Sequence, residues 1–144
     1  MLAQLEIDMP HLVLLYTPDL EREADIPGLC RALADSMLAQ RDEQGKAVFP
    51  TGGTRVLAYP ATHCAVADGN GDYGFLYANL RMGTGRSAEV HRRVGDSLLA
   101  VLRTCLGDIL EQRPVGITLQ IDEGQAQVYD GKHSSLHPLF NKTS

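Results

Sequence analysis

The pattern of apolar and polar positions predicts a strand, a helix and a second strand in the first half of the chain. Residues 10–16 (PHLVLLY) are almost continuously apolar, which is typical of a strand buried on both faces. Asp25 fits a helix N-cap, and apolar residues then recur at helical spacing to about residue 41, at Leu29, Leu33 and Met37. Residues 54–67 are again extended, and Pro60 within them indicates an irregularity or a sheet edge.

The second half repeats this order. The turn residues DGNGD at 68–72 predict a hairpin-like reversal into a third strand at 73–82, which pairs with the second strand or with another neighbour. Ser87 is suited to cap a long helix that ends near Pro114. Its apolar stripe consists of Val90, Val94, Leu98, Val101, Leu102, Cys105, Leu106 and Ile109. Residues 115–123 form the fourth strand, and SLHPLF near the end supplies apolar residues for a docked tail.

Two tandem β-α-β units predict an α+β fold with a four-stranded mixed sheet. Strands joined by a crossover helix run parallel, and the crossover is right-handed. A local two-fold between the two units makes the third strand antiparallel to the first, and both helices then cover one face of the sheet. The opposite face is too apolar for water, so we expect copies of the chain to cover it.

Composition narrows the class of protein. A length of 144 residues fits one domain. The formal net charge of −5 and the pI of about 5.4 disfavour a surface for nucleic acid or anionic membrane. The three cysteines, Cys30, Cys64 and Cys105, are widely spaced, which predicts reduced and mostly buried thiols. We find no signal-peptide pattern and no apolar run of about 18 residues, and therefore expect a soluble, cytoplasmic protein.

Several familiar binding and catalytic patterns are absent or incomplete. No histidine lies in an HxxxH pair with an acidic partner, and DGNGD lacks the Gly and Glu of a calcium loop, so no metal is expected. The G-x-S-x-G elbow of serine hydrolases is missing. GTGRSA at 83–88 has the form of a dinucleotide fingerprint, but the required acidic residue would fall inside the second helix. No cofactor is expected.

Topology brings three residues to one edge of the predicted sheet. Pro10 and Arg55 both stand at the start of parallel strands, and Arg86 follows the C-terminal end of the antiparallel third strand. Arg86 also lies at a helix N-terminus, where backbone N–H groups favour an anion. Taken singly, each arginine is better explained as solvated surface charge. Their convergence with Pro10 predicts a site for a carboxylate instead.

Three stretches resemble the 5-carboxymethyl-2-hydroxymuconate isomerase family of the tautomerase superfamily. They are MPHLVLLYTPDLEREADIPGL, FPTGGTRV and ADGNGDYGFLYANLRMGTGRS, and the similarity extends to SSLHPLF. The resemblance implies one tautomerase-like domain at residues 10–144, with residues 1–9 as an N-terminal extension or an upstream mis-start. It also implies a cytoplasmic homotrimer that isomerises a small polycarboxylate of aromatic-compound degradation, without cofactor, metal, nucleic acid or membrane.

The resemblance also implies roles for four residues. In the family, an N-terminal proline exposed by removal of the initiator methionine is the catalytic base, and here that proline is Pro10. Arg55 and Arg86 correspond to the family's GxR and GxGRS arginines, which act in catalysis and hold substrate carboxylates, and His11 is assigned to substrate binding beside them. A free α-amino group has a pKa of about 7.7–8.0, and apolar surroundings with nearby guanidinium groups lower it, so an unprotonated Pro10 is expected.

Two alternatives stay open. If the residues before Pro10 are retained, its nitrogen is an amide without a basic lone pair, and the chain is a catalytically silent trimeric binding or assembly module. The second alternative is a related reaction of the superfamily, such as hydration of an unsaturated acid. Leu15 stands where the family pattern has an acidic side chain, and the loop at 42–53 is longer than in the relatives, so the natural substrate stays open.

Overall fold

Four strands and four α-helices make up the part of the chain that the computed structural model describes, residues 10–124 and 129–140. In chain order they are β1 (His11–Tyr16), α1 (Pro18–Glu23), α2 (Ile26–Leu38), β2 (Arg55–Pro60), β3 (Gly74–Met82), α3 (Ala88–Cys105), α4 (Gly107–Gln112) and β4 (Val115–Glu123). Two 3₁₀ turns, Thr51–Gly53 and His137–Leu139, lie before β2 and in the C-terminal tail.

The sheet has the order β2-β1-β3-β4. β1 and β2 are parallel, β3 and β4 are parallel, and the central pair, β1 and β3, is antiparallel. This is the predicted arrangement of two β-α-β units. The hairpin expected at DGNGD does not pair β3 with β2, because β1 lies between them. The chain instead crosses from one edge strand to the centre of the sheet.

The core lies between one face of the sheet and helices α2 and α3. Both helices begin at the predicted caps: the Asp25 carboxylate accepts a hydrogen bond from Gly28 N–H at 3.0 Å, and the Ser87 hydroxyl accepts one from Val90 N–H at 3.2 Å. The predicted helical stripes are buried apart from half-buried Val101 and exposed Cys105. Each buried Leu or Val contributes about 1.5–3 kcal/mol relative to exposure. The packed residues include Leu12, Leu14, Leu29, Leu33, Leu76, Leu80, Leu98 and Leu102.

Helix α1 was not predicted, because residues 17–25 have the pattern of a polar connecting segment. Pro18 occupies the first helical turn, where its missing N–H costs nothing, and Leu20 is fully buried beneath an otherwise polar helix. A single apolar residue in six is too weak a periodic signal to predict a helix. The second strand is also shorter than predicted and ends at Pro60, which lies on an edge strand as expected.

The far edge of the sheet, where β1 ends and β3 begins, is closed by Arg113. Its guanidinium is bonded to Asp19 and Glu23 of α1, the latter at 2.8 Å, and donates to the Asp72 carbonyl at 3.1 Å. The Arg113 and Asp19 side chains are only 11% and 16% exposed, so their charges are largely removed from water, whereas Glu23 is 42% exposed. This ion-pair cluster ties α1, the loop before β3 and the chain entering β4 together.

The C-terminal tail docks differently from the prediction. The apolar side chains Leu136, Leu139 and Phe140 are exposed, whereas His137 is 4% exposed. Gly52 lies against His137, because a Cβ atom on Gly52 would come within 2.9 Å of the His137 Cα. The tail therefore supports the turn that leads into β2.

The expectation of mostly buried cysteines was wrong. Cys30 is partly buried on α2, while Cys64 and Cys105 are exposed. Among the described helices, none combines the length and apolar character that a membrane span requires.

The sheet face opposite the helices carries many apolar side chains and, within the described residues, no covering element. Its apolar members, which we call the open face, are Val13, Leu15, Leu57, Tyr59, Phe75 and Tyr77. Leu15, Leu57, Tyr59 and Phe75 are between 37% and 49% exposed. This surface was predicted from the two-layer topology.

Candidate active site

The near edge of the sheet, where β1 and β2 begin and β3 ends, gathers the predicted site residues. His11 is the register partner of Arg55 on β2 and of Arg81 on β3. Pro10, one residue before His11, is buried. The parallel pairing of β1 with β2 and the antiparallel pairing of β1 with β3 together produce this arrangement, as the topology predicted.

Arg55 and His11 lie in direct contact. Arg55 Nη1 is 3.4 Å from His11 Nε2. An arginine can only donate, so this hydrogen bond needs a histidine tautomer with an unprotonated Nε2. Arg55 is half-buried and His11 is exposed. The pair therefore presents guanidinium donors beside Pro10 at an edge that solutes can reach.

Arg86 lies at the same edge but turns toward the loop at residues 42–53. Gly85 before it has φ of +103°, a conformation that favours glycine, and Ser87 after it caps α3. One nitrogen of Arg86 donates to the Val48 carbonyl and the other donates to the Thr84 carbonyl at 3.5 Å. The bond to Val48 turns the Arg86 guanidinium toward the loop at residues 42–53.

The loop at 42–53 is attached to the start of α3 by its acidic residues. The Ser87 hydroxyl donates to Glu43, and this bond holds the pKa of Glu43 below its ordinary value. The pKa of Asp42 is lowered by backbone hydrogen bonds from Lys46 and Gln44 and also by the charge of Arg86. The loop therefore brings negative charge and a backbone carbonyl to the side of Arg86.

The structure brings Pro10, His11 and Arg55 together and places Arg86 on the neighbouring loop of the same edge. Sequence reasoning missed two participants in this neighbourhood. Arg81 was overlooked because only the strand register puts it beside His11. Val48 was overlooked because a backbone carbonyl leaves no signal in the sequence.

The chemistry available at this edge is that of guanidinium and imidazole groups beside an apolar sheet. Such groups bind carboxylates and stabilise developing negative charge through charged hydrogen bonds. Within residues 10–124 and 129–140, no group of three or more His, Cys, Asp or Glu side chains is arranged to hold a metal ion.

The sheet order and the two β-α-β units define a tautomerase-like fold, which solved structures at 18% and 14% identity share with TM-scores of 0.55 and 0.52. The model of the 5-carboxymethyl-2-hydroxymuconate isomerase family matches residues 10–140. The chain belongs to the 5-carboxymethyl-2-hydroxymuconate isomerase family. It is therefore an isomerase of the class that interconverts keto and enol groups.

Three relatives illustrate the similarity. A solved 5-carboxymethyl-2-hydroxymuconate delta-isomerase is 54% identical, with 94% of this chain and 95% of that chain covered and a TM-score of 0.89. A 5-carboxymethyl-2-hydroxymuconate isomerase from Deinococcus radiodurans R1 is 34% identical, with 94% and 96% covered and a TM-score of 0.82. The Escherichia coli 5-carboxymethyl-2-hydroxymuconate Delta-isomerase is 27% identical over 132 residues, 92% of this chain and 99% of the relative.

Proposed function

We propose that the chain ketonises 5-carboxymethyl-2-hydroxymuconate, or a closely related 2-hydroxydienoate, with Pro10 as the base and without a cofactor. The observation that carries this proposal is the contact between Arg55 and His11 at 3.4 Å, directly beside Pro10, in a chain of this isomerase family. Relatives at 54% and 34% identity carry the corresponding substrate in their names.

The proposed reaction moves one proton within the substrate. The Pro10 nitrogen accepts the proton of the 2-hydroxyl group, which leaves a dienolate, and then returns a proton to a distant carbon of the conjugated system. The product is the keto isomer, so atoms and charge balance without an oxidant or reductant. Proline is stiff, and its ring holds the nitrogen lone pair in one direction at little entropic cost.

The cationic side chains bind the substrate and stabilise its charge in this proposal. Arg55 and Arg86 bind substrate carboxylates, and His11 contributes to binding beside Arg55. Guanidinium groups also stabilise the negative charge that develops on the dienolate oxygen. Because the protein as a whole carries a formal charge of −5, long-range attraction of a polyanion is weak, and these local groups must supply it.

Pro10 is a base only if it is the first residue of the active form. An amide nitrogen has given its lone pair to resonance, and no neighbouring charge restores its basicity. The family match begins at residue 10, and Met9 directly precedes it, which supports an active form that starts at Met9 and loses this methionine.

Two forms of the protein test this proposal, one starting at Met1 and the other at Met9, each verified by intact mass. We expect the second form to isomerise 5-carboxymethyl-2-hydroxymuconate at least about 100-fold faster, since general base catalysis contributes roughly 10²–10⁴-fold. N-terminal sequencing of the protein from its native host shows which form is made. Equal rates for an uncleaved Met1 form would refute Pro10 as the base, and inactivity of both forms toward dienols would favour the binding module.

A further inference from the structure

A row of three cationic or titratable side chains crosses the centre of the sheet at its near edge. His11 lies on β1, with Arg55 as its register partner on β2 and Arg81 as its partner on β3. Register partners on adjacent strands point to the same face, so these side chains project together beside the open face. Neighbouring strands are about 4.8 Å apart, which places the Cα atoms of Arg55 and Arg81 about 10 Å apart, with His11 between them.

Arg81 differs from Arg55 and Arg86 because no described residue forms a hydrogen bond or an ion pair with its guanidinium. It is exposed, and within residues 10–124 and 129–140 it forms no hydrogen bond or ion pair. The nearest obvious partner is Asp122, which is its register partner on β4. The Asp122 carboxylate instead accepts a hydrogen bond from Asn79 at 2.9 Å.

We propose that Arg81 binds the third carboxylate of a tricarboxylate substrate and so determines the specificity of the site. This inference rests on the proposed function. 5-Carboxymethyl-2-hydroxymuconate has two muconate carboxylates and one on the carboxymethyl branch, whereas the proposed carboxylate-binding arginines, Arg55 and Arg86, number only two. Arg81 supplies a third guanidinium on the same edge, and its spacing from Arg55 suits a ligand with separated carboxylates.

The position of Arg81 allows it to affect substrate binding without affecting the proton transfer. Arg81 lies two strands away from Arg55, with β1 between them, so it can hold a branch of the substrate without contacting Pro10. Removing it weakens binding of the branch equally in the ground state and the transition state, which raises KM and leaves kcat nearly unchanged. A dicarboxylate without the branch makes no use of Arg81.

The test compares Arg81→Gln with wild type and with the control Arg103→Gln, which changes an arginine on the last turn of α3 at the opposite end of the sheet. Each protein is assayed on 5-carboxymethyl-2-hydroxymuconate and on 2-hydroxymuconate, which lacks the branch. We expect Arg81→Gln to raise KM for the tricarboxylate about tenfold, with kcat within about twofold, and to leave the dicarboxylate within about twofold. Arg103→Gln should match wild type on both.

A binding experiment decides the question even if the proposed reaction is wrong. Calorimetry with propane-1,2,3-tricarboxylate and with glutarate, which lacks only the central carboxylate, measures the same preference without turnover. A wild-type preference for the tricarboxylate that Arg81→Gln removes supports the site, and activity on neither dienol then refutes the proposed function alone. An unchanged preference, binding of neither probe, or loss of the oligomer in Arg81→Gln overturns the inference. Arg81→Ala replaces the first variant if that one does not fold.

Discussion

Arg55 shows how a single side chain at a strand end combines placement with chemistry. It is the first residue of β2, and its guanidinium lies 3.4 Å from His11 Nε2. A half-buried arginine that contacts a histidine and no described carboxylate retains donors for a ligand. The bond to His11 also limits the directions in which the Arg55 side chain points.

We predict that Arg55→Ala lowers kcat/KM for the anionic dienol by on the order of 100-fold, because charged hydrogen bonds to the substrate are lost. Arg55→Lys should recover only part of this loss, since an ammonium group lacks the planar fork of a guanidinium. Steady-state kinetics on the form that starts at Met9 measure both effects, and urea unfolding checks that the fold is intact. Wild-type kinetics in both variants would place the carboxylate site elsewhere.

At the residue scale, the sequence predicted that Arg55 and Arg86 reach the near edge, but it did not predict what they contact and it missed Arg81. Parallel strand starts suffice to place Arg55 beside His11. The contact of Arg86 with the Val48 carbonyl depends on the path of a loop, and the position of Arg81 depends on an antiparallel register. Neither this contact nor the position of Arg81 follows from residue types or spacing, because packing between distant segments determines both.

Among the elements, α1 depends most on charge. Only Leu20 of this helix is buried, so its attachment relies on Arg113 and the carboxylates of Asp19 and Glu23. Burial tends to raise the pKa of Asp19, but the Thr17 and Arg113 side chains more than offset it and lower the pKa below 3.8. The folded state therefore favours the ionised carboxyl, and this stabilisation is lost as the pH falls through the folded-state pKa.

We predict that Asp19→Asn lowers the free energy of unfolding at pH 7 by about 1.5–3 kcal/mol, the usual range for a hydrogen bond to a charged group. The difference from wild type should shrink as the pH falls below about 4, the ordinary pKa of an aspartate, because the unfolded chain then binds a proton that the folded chain binds less readily. Urea titrations at pH 7 and pH 3 measure this. Asp35→Asn, in a 65% exposed pair with Arg31, is the matched control and should change stability by less than about 0.5 kcal/mol. A difference that persists unchanged at pH 3 would contradict the assignment.

Element prediction succeeded where periodicity and caps agreed. Asp25 and Ser87 cap the helices they were assigned to, and the fourth strand has its predicted bounds, Val115–Glu123. It failed at α1, whose six residues contain one buried side chain, and in the tail, where a histidine rather than the apolar residues is buried. In both segments a few tertiary contacts override the local pattern.

For the whole molecule, the open face is the main consequence of a two-layer fold. Its large apolar side chains are about half-exposed in one chain, and such a surface is typical of an interface between copies. We propose that copies of the chain cover it in a homotrimer, in which the near edge of each sheet is close to a neighbouring chain.

Light scattering tests this assembly. We predict a mass of about three times 15.7 kDa for wild type. Leu57→Lys should dissociate the assembly, because it places a charge on a surface that the contact would desolvate. Ala100→Lys, on an exposed position of α3, should leave the mass unchanged. A monomeric wild type at micromolar concentration would contradict the proposal.

Because β1 and β3 are antiparallel, the near edge and the far edge of the sheet have equivalent strand geometry. The arginines at the two edges bind their acidic partners differently. At the far edge, Gly74 pairs with Val115 as His11 pairs with Arg55 at the near edge, and Arg113 lies just before that pair. Arg113 is satisfied by Asp19 and Glu23, so α1 acts there as a covalently attached ligand. Because α1 belongs to the same chain, its contact with Arg113 costs no translational entropy, whereas the binding of a solute does. At the near edge, by contrast, Arg55 and Arg81 pair with no carboxylate among the described residues, so an acid that binds them there has to arrive from solution and can leave again.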